Sequence, residues 1–164
     1  MTVELTRARL KQVLHYDPKT GVFTRLVRPP NQTQAGSIAG WINPKGYRDI
    51  RVDGRSYRAH RLAWFYMTGK WSRTDLDHIN RDKTDNRFVN LREATRSQNS
   101  VNSKISSNNT SGVRGVYFDK RKKKFRAQVV VNGKCIAIGL HRTVEDAAKV
   151  ATALRKKYYG EFAP

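Results

Sequence analysis

Asp77 and His78 are adjacent in this chain, and Asn86, Asn90 and Asn99 follow within the stretch Leu76 to Asn102. A carboxylate, an imidazole and carboxamides at such short offsets form a compact set for metal-assisted phosphodiester cleavage. That reaction must deprotonate a water, neutralise charge on the phosphate and stabilise the leaving 3′ oxygen. One hard divalent cation can do the last two jobs. A neutral imidazole can do the first, because its pKa lies near working pH.

On an extended strand, neighbouring side chains point to opposite faces, so Asp77 and His78 can serve two sides of one reaction centre. Asp77 offers a carboxylate to the cation and His78 offers the base. Asn99 lies 99 − 78 = 21 residues after the histidine, near the start of a predicted helix opened by Thr95 or Ser97. Its side-chain carbonyl can supply a second oxygen ligand. An oxygen-only pair suits Mg²⁺, with Mn²⁺ as a substitute, whereas zinc prefers His and Cys. Asn90, 90 − 78 = 12 residues after His78, can hold the imidazole by hydrogen bond and select its tautomer. Asn86 follows Asp85, a pairing common in turns, and stands open between a turn role and a site role. Arg87 and Arg92 could clamp phosphate or form a solvated basic face. His60 reads as a packed or surface histidine, His15 and His141 carry no argument, and Trp64 and Phe65 read as core.

The 164 residues include 33 Lys plus Arg against 13 Asp plus Glu, a formal net charge of +20. A chain this basic calls for a polyanion, nucleic acid ahead of an acidic membrane. At 38% hydrophobic content it can build small cores rather than one large one. Cys135 is the one cysteine, so an internal disulfide and a cysteine-based zinc site are excluded. It reads as a small filler. No signal-peptide-like run opens the sequence, and stretches such as Ala63 to Met67 are too short to cross a bilayer. A cytoplasmic protein without a membrane anchor is expected.

The elements around these residues are predicted as α+β. Residues 2–15 read as a short helix, and the segment from Tyr16 to Val27 as a hairpin turning at Pro18 and Gly21. A looser stretch runs from Arg28 to Gly40. Trp41 to Tyr57 reads as a second hairpin turning at Asp53–Gly54. His60 to Thr68 is apolar at helical spacing. The polar run from Ser103 to Ser111 breaks the composition. The predicted organisation is a hairpin-rich domain over 1–103 with its core at about 45–102, a tether over 104–111, and a small domain over 112–164. In the last, three strands, with a hairpin turn at Asn132–Gly133, precede a helix capped by Thr143. Val144, Ala148, Ala151, Leu154 and Tyr158 supply its predicted apolar stripe.

At Asp77-His78-Ile79-Asn80, Arg87, Asn90-Leu91-Arg92, Thr95, Gln98-Asn99 and Asn102, the chain resembles HNH nucleases with a ββα-metal finger, particularly phage and intron-encoded homing endonucleases. The resemblance covers about residues 45–102. It implies that Asp77 and Asn99 ligate the metal, that His78 is the general base, and that Asn90 orients His78.

The segment after Gly112 resembles the AP2 DNA-binding domain through Ser-Gly-Val-Arg-Gly-Val at 111–116, Lys124 with Arg126-Ala127, and Thr143 followed by Glu145-Asp146-Ala147-Ala148. That family is a three-stranded antiparallel sheet on one helix, and docks its sheet in the major groove. Alternation places Arg126, Gln128 and Val130 on the outward face, with Phe125, Ala127 and Val129 toward the helix. The resemblance implies DNA contacts from Arg114, Tyr117, Arg126 and Gln128, with Arg121, Lys124 and Lys134 on phosphates.

Together these readings predict a site-preferring, Mg²⁺-dependent endonuclease of homing type that acts on double-stranded DNA. It would leave 5′-phosphate and 3′-hydroxyl ends, and work as a monomer or pair on DNA. The rival is a non-catalytic, sequence-preferring DNA-binding regulator that retains the nuclease fold.

Overall fold

The computed structural model describes residues 4–28, 34–103, 105–131 and 133–163. It is a mixed α+β chain with several small antiparallel sheets. Contacts divide it into two compact units, Met1–Ala94 and Thr95–Pro164.

In the first unit, Thr6 Oγ1 accepts the Arg9 N–H and opens helix α1 (Arg7–Val13). The helix is shorter than the predicted 2–15, whose residues 2 and 3 lie outside the described ones. Its end is set by pairing, because Leu14 turns extended to begin strand β1 (Leu14–Asp17) against β2 (Val22–Arg25). The second predicted hairpin is a three-stranded sheet of β3 (Trp41–Ile42), β4 (Arg48–Val52) and β5 (Arg55–Arg58). Asp53 and Gly54 both adopt positive φ, 46° and 80°, which matches the right-handed twist of a tight hairpin. Helix α2 (Ala59–Thr68) buries Ala59, Leu62, Ala63 and Phe65, while Trp64 is only partly buried.

Leu10, Leu14, Phe23, Ile50 and Leu62 fill this core with no appreciable exposure. Each such side chain contributes about 1.5–3 kcal/mol by leaving water. On this base stands the hairpin that carries Asp77 and His78. Strand β6 (Asp75–His78) pairs antiparallel with β7 (Leu91–Ala94), setting Asp77 opposite Arg92 and His78 opposite Leu91. A 3₁₀ turn, Phe88–Asn90, leads into β7.

The second unit opens with helix α3 (Arg96–Asn102), started by a reciprocal capping box between Thr95 and Gln98. The unit boundary therefore falls ahead of the tether expected at 104–111. Hydrogen bonds account for this. Ser97 Oγ lies 3.1 Å from Tyr159 Oη, and the Arg114 guanidinium donates to the Ser103 backbone carbonyl. Within the polar run, Asn109 Nδ2 donates to Val113 O at 2.9 Å and Ser111 Oγ to Val116 O at 2.7 Å. Lys104 is outside the described residues.

Strands β8 (Val116–Asp119), β9 (Lys124–Val131) and β10 (Lys134–His141) form a sheet in the order β10-β9-β8. The hairpin turn predicted at Asn132–Gly133 rests on Asn132, which lies outside the described residues. Helix α4 (Val144–Tyr159) is capped by Thr143 Oγ1, which accepts the Asp146 N–H. Its buried face is Ala147, Ala151, Arg155 and Tyr159. The predicted stripe is thus displaced: Tyr158 is exposed and Ala148 half-buried, because the i, i+4 row starting at Ala147 meets Val116 and Ala127 of the sheet. Cys135, expected as a filler, is exposed, with its thiol donating to Gln128 Oε1 at 3.0 Å. It pairs with exposed Val130 on the face away from α4.

Candidate active site

Asp77 and His78 are both buried, at 4% and 5% exposure. The strand register places Arg92 across from Asp77, and Arg92 Nε and Nη2 both lie 2.9 Å from Asp77 Oδ2. Burying a carboxylate requires such a partner, since an isolated charge in the interior is strongly disfavoured. Arg92, read from sequence as either a phosphate clamp or part of a solvated basic face, is a largely buried partner of Asp77.

His78 meets Asn86, with Nε2 3.3 Å from Asn86 Oδ1. The amide of Asn86 is oriented by its other end, because Nδ2 donates to Thr84 O at 3.0 Å. A carboxamide oxygen only accepts, so the neutral ring carries its proton on Nε2 and its basic lone pair on Nδ1.

The residue expected to hold the imidazole, Asn90, does something else. Its Nδ2 donates to Asp85 O at 2.8 Å and Asn80 Oδ1 at 3.0 Å, and its Oδ1 accepts the Asn80 N–H at 3.0 Å. Its backbone carbonyl takes the Ile79 N–H at 2.9 Å. Asn90 cross-braces the loop from Ile79 to Arg87, and Asn86, on that loop, faces the ring. Both asparagines are buried, so each must satisfy its amide locally.

Two aromatic neighbours missed by sequence reasoning enclose His78. The His60 ring packs edge-on at 5.0 Å between centroids, and the Tyr47 ring lies at 6.2 Å. Lys83 Nζ stands 4.8 Å and the Arg58 guanidinium 5.1 Å from the Tyr47 ring centroid, within cation–π range. His60 starts the apolar run that α2 buries, the one local signal that it would point inward.

Burial pushes the pKa of His60 down to about 3, helped by His78, Arg61 and Arg58. Burial also lowers that of His78, while the Asn86 hydrogen bond and the carboxylates of Asp77, Asp82 and Asp85 pull the other way. The net effect keeps the His78 imidazole neutral at physiological pH, the form that accepts a proton.

The remaining sequence candidates belong to the loop ahead of β7 and to the second unit. Arg87 is half exposed and makes a two-point pair with Asp85, Nε to Oδ1 at 2.8 Å and Nη2 to Oδ2 at 2.6 Å. Asn99 belongs to α3 in the second unit. Among the described residues no group of three or more His, Cys, Asp or Glu side chains could hold a metal ion. The Asp77 carboxylate would offer a cation a hard oxygen donor. That donor chemistry fits a hard ion such as Mg²⁺.

In the second unit, β8 and β9 set Tyr117 directly opposite Arg126 on the sheet face away from α4. The Arg126 guanidinium lies 5.8 Å from the Tyr117 ring centroid and 3.0 Å from Asp119 Oδ2. Gln128 follows on the same face, and Arg121, Lys124 and Lys134 are exposed. Arg114 reaches the Ser103 backbone and hydroxyl beyond the C-terminus of α3. Among the described residues, no helix is long and apolar enough to cross a membrane.

Residues 57–101 match the family model described as HNH endonuclease. Over 125 residues, 75% of this chain, the sequence is 39% identical to the "Uncharacterized HNH endonuclease L560" of Acanthamoeba polyphaga mimivirus. This chain covers 64% of that relative's length. Over 88 residues, 54% of this chain and 72% of the relative, it is 31% identical to Protein 3.8 of Escherichia phage T7. No solved structure matches the chain.

Proposed function

We propose that this chain, which belongs to the HNH endonuclease family through residues 57–101, hydrolyses phosphodiester bonds in double-stranded DNA. The observation that carries the reading is the buried His78, held neutral with Nε2 toward Asn86 and set beside the Asp77 carboxylate. Nδ1 of His78 takes a proton from water, and the hydroxide attacks phosphorus in line with the 3′ oxygen. Asn86 keeps the ring in the basic tautomer, and Asp77 compensates the imidazolium charge that develops. A divalent cation bound at Asp77, Mg²⁺ in our reading with Mn²⁺ as a substitute, would neutralise phosphate charge and stabilise the leaving oxygen. Asn99 enters as a further oxygen ligand on the sequence pattern alone. The products are 5′-phosphate and 3′-hydroxyl ends.

The sheet of the second unit is proposed as the AP2-like DNA-docking surface, with Tyr117, Arg126 and Gln128 toward bases and Arg121, Lys124 and Lys134 toward phosphates. Phosphate contacts would supply most of the affinity and base contacts the site preference of a homing-type enzyme. A non-catalytic DNA-binding protein is the second reading, favoured by one observation: the Asp77 carboxylate is already paired with Arg92.

Supercoiled plasmid separates the two. The wild-type chain with Mg²⁺ should nick or linearise it, and His78→Ala should bind but not cut. Binding without cleavage by the wild type would favour the regulator, and equal cleavage by both proteins would remove His78 from the mechanism.

A further inference from the structure

The N-terminal hairpin reaches the candidate site from 70 residues away in sequence. Tyr16, on β1, donates its hydroxyl to the backbone carbonyl of Asn86 at 2.7 Å. Its ring is buried at 2% exposure, packed on Phe23 at 4.7 Å and Tyr66 at 5.6 Å between centroids. The turn that follows makes a second contact with the same peptide. Gly21 has φ of 73°, and a Cβ there would stand 2.4 Å from Arg87 N and 2.6 Å from Asn86 C. Only glycine permits both that backbone conformation and that approach.

Asn86 is thereby held at several points and is 1% exposed. Tyr16 takes its backbone carbonyl, Thr84 O takes its Nδ2, and Gly21 lies against its peptide bond to Arg87. What remains is Oδ1, the atom that faces His78 Nε2. Packing alone explains an aromatic ring at position 16, which a phenylalanine would serve equally. It does not explain a buried hydroxyl, which is unfavourable unless bonded. That hydroxyl bonds the residue that orients the imidazole.

We propose that Tyr16 and Gly21 are positioning residues of the catalytic centre, acting through Asn86 on the ring of His78. The inference rests on the reading of His78 as general base. It assigns a catalytic contribution to a hairpin outside residues 57–101, the segment matching the family model.

The test uses the full chain with Mg²⁺ and plasmid DNA, and compares Tyr16→Phe with Ile50→Val, a change in the same core on β4. Tyr16→Phe keeps the ring packing and removes only the hydroxyl. It should lower kcat about tenfold or more with KM unchanged, as small displacements of a reacting group do. In ¹⁵N spectra of the neutral protein, the His78 ring nitrogens should move from one tautomer toward a mixture. Ile50→Val loosens the core from a strand outside that hairpin, so it should lower the Tm while kcat and the ring signals stay at wild-type values. The proposal is overturned if Tyr16→Phe leaves either kcat or the His78 ring signals unchanged, or if both variants lose kcat in step with Tm. Should the wild type cut no DNA, the nuclease reading fails by itself. The ring signals alone then judge the link from Tyr16 to His78: movement supports it and constancy overturns it.

Discussion

Asp77 and Arg92 face each other across the β6–β7 hairpin as a largely buried ion pair, with two guanidinium nitrogens 2.9 Å from one carboxylate oxygen. The side chains are only 6% and 12% exposed. The carboxylate proposed to hold a cation is thus already paired within the protein, and under that proposal the arginine would compete with the cation for it.

Breaking an ion pair withdrawn from water costs up to about 3–5 kcal/mol. Arg92→Leu should therefore lower the Tm by roughly 10 °C or more. Millimolar Mg²⁺ should recover part of that loss, because the cation can replace the guanidinium at Asp77. Calorimetry with and without Mg²⁺ checks this. An unchanged Tm would mean the pair contributes nothing, and a loss that Mg²⁺ leaves untouched would argue against Asp77 as a ligand.

Asn86 and Asn90 should fail differently. Asn90→Ala removes the brace across the loop, with a stability loss of about 1–3 kcal/mol and faster amide exchange from Ile79 to Arg87. Asn86→Ala should lower kcat by about tenfold to a hundredfold, with KM little changed. If instead Asn90→Ala carried the kcat defect while leaving exchange alone, the observed hydrogen bonds would not be the functional ones.

His60 makes the first unit acid-sensitive. Its pKa falls from 6.5 in the unfolded chain to about 3 in the folded one, so on acidification the unfolded chain binds the proton first. Its stabilising contribution is complete above pH 6.5 and declines as pH drops toward 3, with a limiting slope of about 1.4 kcal/mol per pH unit. His78 adds a loss of the same sign. Urea unfolding in chelator at a series of pH values should show His60→Gln with a shallower acid decline than wild type. Parallel declines would assign the effect to other groups.

Salt dependence separates phosphate contacts from structural cations in the second unit. Each phosphate contact contributes a slope of about 0.9 in log affinity against log salt. Lys124→Ala should reduce the slope for duplex DNA by about one contact and leave the Tm alone. Arg114→Ala, which frees the end of α3, should lower the Tm and barely alter the slope. The opposite pattern would return Arg114 to the DNA surface.

Sequence alone determined the type and approximate place of most elements, because their signals are local. The cap at Thr143, the Asp53–Gly54 turn, and the alternation of Phe125, Ala127 and Val129 against Arg126 and Gln128 all report within a few residues. The Asp77–His78 dipeptide stood out for the same reason, as chemistry written in consecutive letters. Tertiary structure decided the partners. Asn86 and Asn90 carry identical hydrogen-bonding groups, so the choice of which one meets His78 lies in the path of the loop between β6 and β7. That path is held by Asn90 from within and by Tyr16 and Gly21 from a distant hairpin. Likewise, Asp77 finds Arg92 through strand register across 15 residues, and the buried face of α4 is selected by the sheet it covers. Periodicity fixes which side chains share a face, whereas contacts between residues far apart in the chain depend on closing loops whose geometry no short window of sequence contains.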